Sequence, residues 1–370
     1  MANERLVIVK VGSSTLVTKQ GVLDTAYIRS LCDQVATLVD EGRRVIVVSS
    51  GAVAAGREVL GFDHRPSDIP TLQACAAAGQ ALLTKAYADV LAERGIACAQ
   101  VLLTRRDLTD REAYLNARNA LERLLDLGCV PVVNENDTVS VAEFTFGDND
   151  MLGAIVAALV GAELYVIMSD VEGLYTANPQ EDPNARLVER VESIDAHVSD
   201  MAGGAGSSFG TGGMATKITA ARAMFAAGIP TVICRGKRPN ALVDVVHGAS
   251  VGTRFEAPEG TSHESPKKLW IGLAEVPRGT LRLDAGAARA VLSGGGSILP
   301  VGVTSTEGTY AIGDVVNVRG EDGELIGRGV VRYSSDDMER VRGLKLSVIS
   351  RFLDQARVQP AIHRDEFLIL

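Results

Sequence analysis

A chain of 370 residues with 46% apolar and 22% charged residues has the composition of a globular protein, with room for about two domains and no apolar run reaching the ~18 residues of a membrane span. The net charge of −9 is uneven, since residues 265–370 hold 14 Lys+Arg against 13 Asp+Glu and leave 23 against 33 for residues 1–264. An acidic first part and a neutral second, without a clustered basic stripe, argue against a nucleic-acid surface.

The first predicted element is a strand over Leu6–Val11, short, mostly β-branched and non-alternating, as expected for a strand buried on both faces. Lys10-Val11-Gly12-Ser13-Ser14 closes it, so a lysine and a small-residue turn lie at its carboxyl end; alternatively Lys10 is a lysine snorkelling from a strand end. Asp24 suits the N-cap of a helix running to about Glu41, with Gly42 past its end. The strand Val45–Val48 leads into Ser49-Ser50-Gly51-Ala52. A helix over Ala74–Glu93 stops before Gly95, a strand follows at Val101–Leu103, and a helix over Arg111–Leu127 ends at Gly128.

The strand Val130–Val133 runs into Asn134-Glu135-Asn136-Asp137, and Gly147-Asp148-Asn149-Asp150 precedes a helix over Met151–Val160. Amides and carboxylates in two such segments suit a small polar ligand, although Asn and Asp also favour turns and Asp150 is a suitable N-cap. Leu164–Met168 is a strand ending at Ser169-Asp170. Gly210-Thr211-Gly212-Gly213-Met214-Ala215-Thr216-Lys217 then places many backbone N–H groups and a cation ahead of a helical run, Ile218 to Ala227, whose N-terminus suits an anion. The loop is not a Walker A sequence, and its glycines also fit a flexible linker.

After the strand Thr231–Cys234 the chain turns polar and proline-bearing at 256–267, the profile of a linker. Beyond Trp270 short apolar pieces around glycines, with strands at Val315–Val318 and Gly329–Tyr333, predict a compact β-rich module. Strands alternating with helices predict an α/β fold, a three-layer sandwich with a mostly parallel central sheet, over 1–255, then the linker and the small domain over 268–370. Ligands gather at the carboxyl ends of such strands, where Lys10, Ser50, Asn134 and Ser169-Asp170 all lie.

Cys32, Cys75, Cys98, Cys129 and Cys234 are odd in number and form no C-x-x-C pair, so buried free thiols are expected. The five histidines are equally scattered. Any metal is therefore expected to be oxygen-bound, and no residue is named as a metal ligand. The start, Met1 to Arg5, lacks a basic region followed by an apolar one and runs straight into the first strand, so a cytoplasmic location is expected.

In their order, Lys10-Val11-Gly12-Ser13-Ser14, Ser49-Ser50-Gly51-Ala52, Asn134 to Asp137, Gly147 to Asp150 and Gly210 to Lys217 resemble the glutamate 5-kinases of the amino acid kinase family, and the tail from Lys268 resembles a PUA domain. The resemblance implies transfer of the γ-phosphoryl of ATP to the side-chain carboxylate of L-glutamate, at the head of proline synthesis. It implies Lys10, Lys217 and Asp150 as the catalytic group, Asp150 orienting the two lysines. ATP contacts are implied for Lys10, Gly12, Ser14, Ser169, Asp170, Thr211, Gly212, Gly213, Met214, Ala215, Thr216 and Lys217, and glutamate contacts for Ser50, Gly51, Asn134, Asp137, Asp148 and Asn149. Mg²⁺ is expected on the ATP phosphates, L-proline as a feedback inhibitor, and a homo-oligomer as the assembly. Composition and spacing alone reach only phosphoryl transfer to a small polar substrate. Another small-molecule kinase of the same family, an RNA-binding protein acting through the tail, and a catalytically silent regulatory protein are the alternatives.

Overall fold

Each of the six apolar runs read as strands before residue 256 forms one in the computed structural model, which describes residues 5–18, 20–104, 107–108, 110–140, 149–179, 181–194, 198, 201, 213–258, 268, 277–294, 296–351 and 358–369. In chain order the first unit contains β1 (Leu6–Val11), α1 (Ser13–Leu16), α2 (Thr25–Asp40), β2 (Arg44–Val48), α3 (Ala52–Val59), α4 (Ile69–Glu93), β3 (Cys98–Leu103), α5 (Arg111–Asp126), β4 (Val130–Glu135) and α6 (Asn149–Val160). It continues with β5 (Leu164–Ser169), β6 (Arg190–Val191), α7 (Met214–Ala227), β7 (Thr231–Arg235), α8 (Ala241–Val246) and β8 (Thr253–Phe255).

These strands make one sheet in the order β3-β4-β2-β1-β5-β7-β8-β6, parallel throughout except between β7 and β8. The strand order reverses about β1, where the chain leaves for β2 and later returns at β5. Register puts Lys10 beside Val48 of β2 and Ile167 of β5, and Val48 beside Val133 of β4. The carboxyl ends of four neighbouring strands therefore share one edge.

The two faces of β1 do different work. Val7, Val9 and Val11 enter a core with Ile28, Leu31 and Val35 of α2, Leu83 and Tyr87 of α4 and Leu242 of α8. Side chains alternate along a strand, so Lys10 points to the opposite face, where α6 and α7 pack together. Helices α3 and α4 meet backbone to backbone: a Cβ at Gly56 would lie 1.7 Å from the Cys75 carbonyl oxygen, and one at Gly79 would lie 1.9 Å from that of Ala52. Only glycine permits that approach.

Several helices begin earlier than their apolar periodicity suggests. Helix α4 starts at Ile69 rather than Ala74, because the Asp68 carboxylate accepts from the Thr71 N–H at 2.9 Å and Pro70 sits in the first turn. Helix α6 starts at Asn149, which places Asp150 inside its first turn instead of at its cap. Helix α7 starts at Met214, so Lys217 belongs to its first turn and does not precede it. The short α1, the small-residue helix α3, helix α8 and the short strands β6 and β8 carry too little periodicity to be read from sequence.

The chain divides into two compact units, Met1–Ser262 and His263–Leu370. The second contains β9 (Gly279–Leu283), α9 (Ala285–Gly294), a 3₁₀ turn (Pro300–Gly302), β10 (Val303–Gly308), β11 (Val315–Arg319), β12 (Leu325–Val331), α10 (Ser335–Val341), α11 (Leu346–Ile349) and β13 (Ile362–Ile369). Its sheet runs β10-β9-β11-β12-β13, with β9 and β11 parallel and the other pairs antiparallel. It has its own core, including Leu281, Val316, Val318, Val331 and Phe367. Strand β12 is displaced from the expected Gly329–Tyr333 and ends at Val331, beyond which the Tyr333 hydroxyl donates to the Gln359 carbonyl at 2.9 Å.

All five cysteines are free; Cys32, Cys75 and Cys234 are buried, whereas Cys98 and Cys129 are half-buried, so the expectation of buried thiols is corrected for those two. Burial pushes Cys32 and Cys234 up to about 12 and Cys98 up to about 11, which makes these thiols poor nucleophiles at neutral pH. No helix among the described residues is long and apolar enough to cross a membrane.

Candidate active site

Three buried charges meet at the carboxyl edge of the sheet. Lys10 is 1% exposed, Asp150 fully buried and Lys217 5% exposed. Charges removed from water persist only when paired, and here a single carboxylate serves two cations. Asp150 Oδ1 lies 2.5 Å from Lys10 Nζ and Oδ2 lies 3.1 Å from Lys217 Nζ. The fold brings them together from β1, the first turn of α6 and the first turn of α7. Two ammonium groups against one carboxylate leave this cluster net positive, with two helix N-termini close by, an environment suited to a transferring phosphoryl group.

Local bonds fix the bridge. The Thr216 hydroxyl lies 2.8 Å from the Gly213 carbonyl and 3.3 Å from Asp150 Oδ2, joining the glycine turn to the carboxylate. Tyr165, buried on β5, donates to the Asp150 carbonyl oxygen at 2.7 Å and so anchors the start of α6. Gly153 makes room for it, since a Cβ there would come within 2.4 Å of the Tyr165 hydroxyl. Gly213 precedes α7 without a side-chain cap, and the N-terminus of that helix suits an anion.

Beside the charged cluster is an amide cluster. Asn149 Nδ2 donates to the Ser49 carbonyl at 2.6 Å and to Asn134 Oδ1 at 2.8 Å, and lies 3.2 Å from Ser50 Oγ. Asn134 Nδ2 donates to Gln80 Oε1 at 2.8 Å. Gly51 adopts φ +93°, a left-handed conformation open to glycine, and this turns the chain from β2 into α3 so that the first N–H groups of that helix face the same edge. The Tyr87 hydroxyl lies 3.1 Å from Ser49 Oγ, and burial holds this phenol well above its ordinary range. Next to the amides, a cavity of about 240 Å³ is lined by Gln80, Gln100, Asn136, Asp137 and Thr138 among others.

Of the residues singled out from sequence, Lys10, Asp150, Thr216 and Lys217 are joined in one cluster, Ser50, Asn134 and Asn149 in the second, and Asp137 lines the adjoining cavity. Gly12, whose N–H donates to the Met168 carbonyl at 3.2 Å, caps the short α1 after β1, and the exposed Ser14 lies in the first turn of that helix. Ser169 Oγ donates to Asp170 Oδ1 at 3.0 Å, a self-contained pair at the end of β5. Asp148, Thr211 and Gly212 lie outside the described residues. Tyr165 and Gln80 were not legible as site residues, the first because it sits within an apolar strand and the second because it sits in an alanine-rich helix; each contributes through a tertiary hydrogen bond.

The model of the amino acid kinase family matches residues 5–235, and that of the PUA domain matches residues 279–353. A glutamate 5-kinase from Trichlorobacter lovleyi is 44% identical over 99% of this chain and 97% of its own. Glutamate 5-kinases from a Polaromonas species and from Myxococcus xanthus are 46% and 44% identical, each over 100% of this chain and 97% of theirs. With relatives this similar along the whole chain, a lysine–aspartate–lysine bridge at the sheet edge and a separate β-rich unit later in the sequence, the chain belongs to the amino acid kinase family, among the glutamate 5-kinases that carry a PUA domain.

Proposed function

We propose that this chain passes the γ-phosphoryl of ATP to the side-chain carboxylate of L-glutamate by direct in-line transfer, giving L-glutamyl 5-phosphate for proline synthesis. The observation that carries the reading is the bridge Lys10–Asp150–Lys217 lying beside the amides of Asn134 and Asn149. A carboxylate is already a nucleophile, so no general base is required; the difficulty is to bring two anions together in line. Lys10 and Lys217 answer that charge, and Asp150 holds both ammonium groups in place before substrate arrives, so little reorganisation remains for the transition state.

ATP is held by Lys10, the turn at Gly12 and Ser14, the Ser169-Asp170 pair, and the loop and helix start from Thr211 through Gly213, Met214, Ala215 and Thr216 to Lys217. Mg²⁺ arrives on the ATP phosphates, keeping much of its own water as this hard ion usually does. The amino-acid end of glutamate is held by Ser50, Gly51, Asn134, Asp137, Asp148 and Asn149: N–H donors at the start of α3 suit its α-carboxylate, while carboxylates and amide oxygens suit its ammonium group. Incubation with ATP, Mg²⁺, hydroxylamine and single amino acids traps an acyl phosphate as its hydroxamate. L-Glutamate is expected to give the strong signal, and equal signals from L-aspartate or N-acetylglutamate would sink the reading.

The same pocket predicts inhibition by L-proline. Proline presents an α-carboxylate and a charged α-nitrogen to the groups that hold glutamate, but it has no carboxylate to phosphorylate. Initial rates across a glutamate series at fixed proline should show inhibition relieved by excess glutamate. Inhibition that saturating glutamate leaves untouched would place proline elsewhere.

A further inference from the structure

We infer that Gln80, on α4, is a positioning residue that holds Asn134, and through it the acceptor-facing amide of Asn149, in place along a chain of hydrogen bonds whose direction is fixed by one backbone carbonyl. The Ser49 carbonyl can only accept, so Asn149 must turn Nδ2 toward it, at 2.6 Å. Asn134 then presents Oδ1 to that same Nδ2 at 2.8 Å, which leaves Asn134 Nδ2 pointing at Gln80 Oε1, also at 2.8 Å. Gln80 in turn directs Nε2 at Thr84 Oγ1, 3.2 Å away, and the Thr84 hydroxyl passes its hydrogen to Gln100 Oε1 at 2.6 Å. Reversing the amide of Asn149, Asn134 or Gln80 would set two donors or two acceptors against each other.

The inner end of this chain is Asn149 Oδ1. It is buried and has no hydrogen-bond partner among the described residues, although its residue is only 1% exposed. Buried polar atoms are left open at a cost, and such an exception calls for an explanation. An acceptor without a donor, on an amide whose nitrogen lies 3.2 Å from Ser50 Oγ, is suited to an ammonium N–H of an incoming amino acid. Gln80 reaches this atom only through Asn134, because its own amide is engaged at both ends. The same logic explains why an amide, rather than an apolar residue, occupies an otherwise alanine-rich stretch of α4 that faces the site.

This inference rests on the acceptor reading proposed above and deepens it. Gln80→Met keeps the length of the side chain and removes both hydrogen-bonding ends. It is expected to raise KM for L-glutamate about tenfold, equivalent to ~1.4 kcal/mol, while kcat and KM for ATP stay within about twofold, because the charged cluster is untouched. Thr84→Val, a near-isosteric change farther out, is expected to shift KM for glutamate in the same direction by less. It also provides the test if Gln80→Met fails to fold. Combined with Gln80→Met it should add little, since along this chain Thr84 reaches Asn149 through Gln80. An unchanged KM for glutamate, a fall in kcat with KM unmoved, or additive effects in the double variant would each overturn the inference. Hydroxamate formation by the parent enzyme tests the acceptor reading separately. Should the parent use a different amino acid, the same comparison with that acceptor decides the role of Gln80.

Discussion

Lys217→Ala is expected to lower kcat by about 10²–10³-fold, the loss typical of removing one preorganised donor to developing charge, and to change KM for glutamate far less. The reason is geometric. Lys217 is held 3.1 Å from Asp150 Oδ2 in the first turn of α7, next to the glycine loop, whereas the amide cluster that faces the acceptor contains no atom of α7. Its cation acts on charge that grows as the phosphoryl group moves, so its removal shows in the rate. Steady-state kinetics on the folded variant make the check; near-normal kcat would remove Lys217 from the chemistry.

Asp150→Asn is expected to damage both stability and rate. The substitution keeps the shape of the side chain but leaves two buried ammonium groups without the carboxylate they share. Removing one partner of a buried ion pair costs about 3–5 kcal/mol, a large share of the ~5–15 kcal/mol that holds a domain together. Because the phosphates of ATP supply negative charge to the same lysines, ATP should raise the melting temperature of the variant more than that of the parent. Thermal unfolding with and without ATP, beside turnover, tests this. A variant as stable and as active as the parent would show that Asp150 does not organise the lysines.

The parts of the fold legible in the sequence were those in which burial leaves a continuous mark. Strands β1, β2, β4, β5 and β7 are buried on both faces, so their residues are apolar without alternation. For the same reason Lys10 stood out, as a charge ending such a run. Asp150 and Lys217 were legible as members of short motifs, but their meeting was not: positions 10, 150 and 217 share no period, and only the pairing of β1 with β5 and the packing of α6 on α7 unite them. The starts of α4 and α7 were missed because a capping carboxylate and a glycine, not apolar spacing, decide where those helices begin. Gln80 gave no sign, since a polar residue in a helix is ordinary until its neighbours are known to be buried amides.

The most direct test of the proposed chemistry follows oxygen. With L-glutamate carrying ¹⁸O in its side-chain carboxylate, direct attack on the γ-phosphorus makes a carboxylate oxygen the bridge of the acyl phosphate. Hydroxylamine then attacks the carbonyl carbon, and the phosphate leaves with that bridging oxygen. Mass analysis of the released phosphate is predicted to show one ¹⁸O per turnover, matched by one hydroxamate. Phosphate without the label, or labelled only when the solvent water carries ¹⁸O, would mean that water and not the carboxylate receives the phosphoryl group, and would contradict the account.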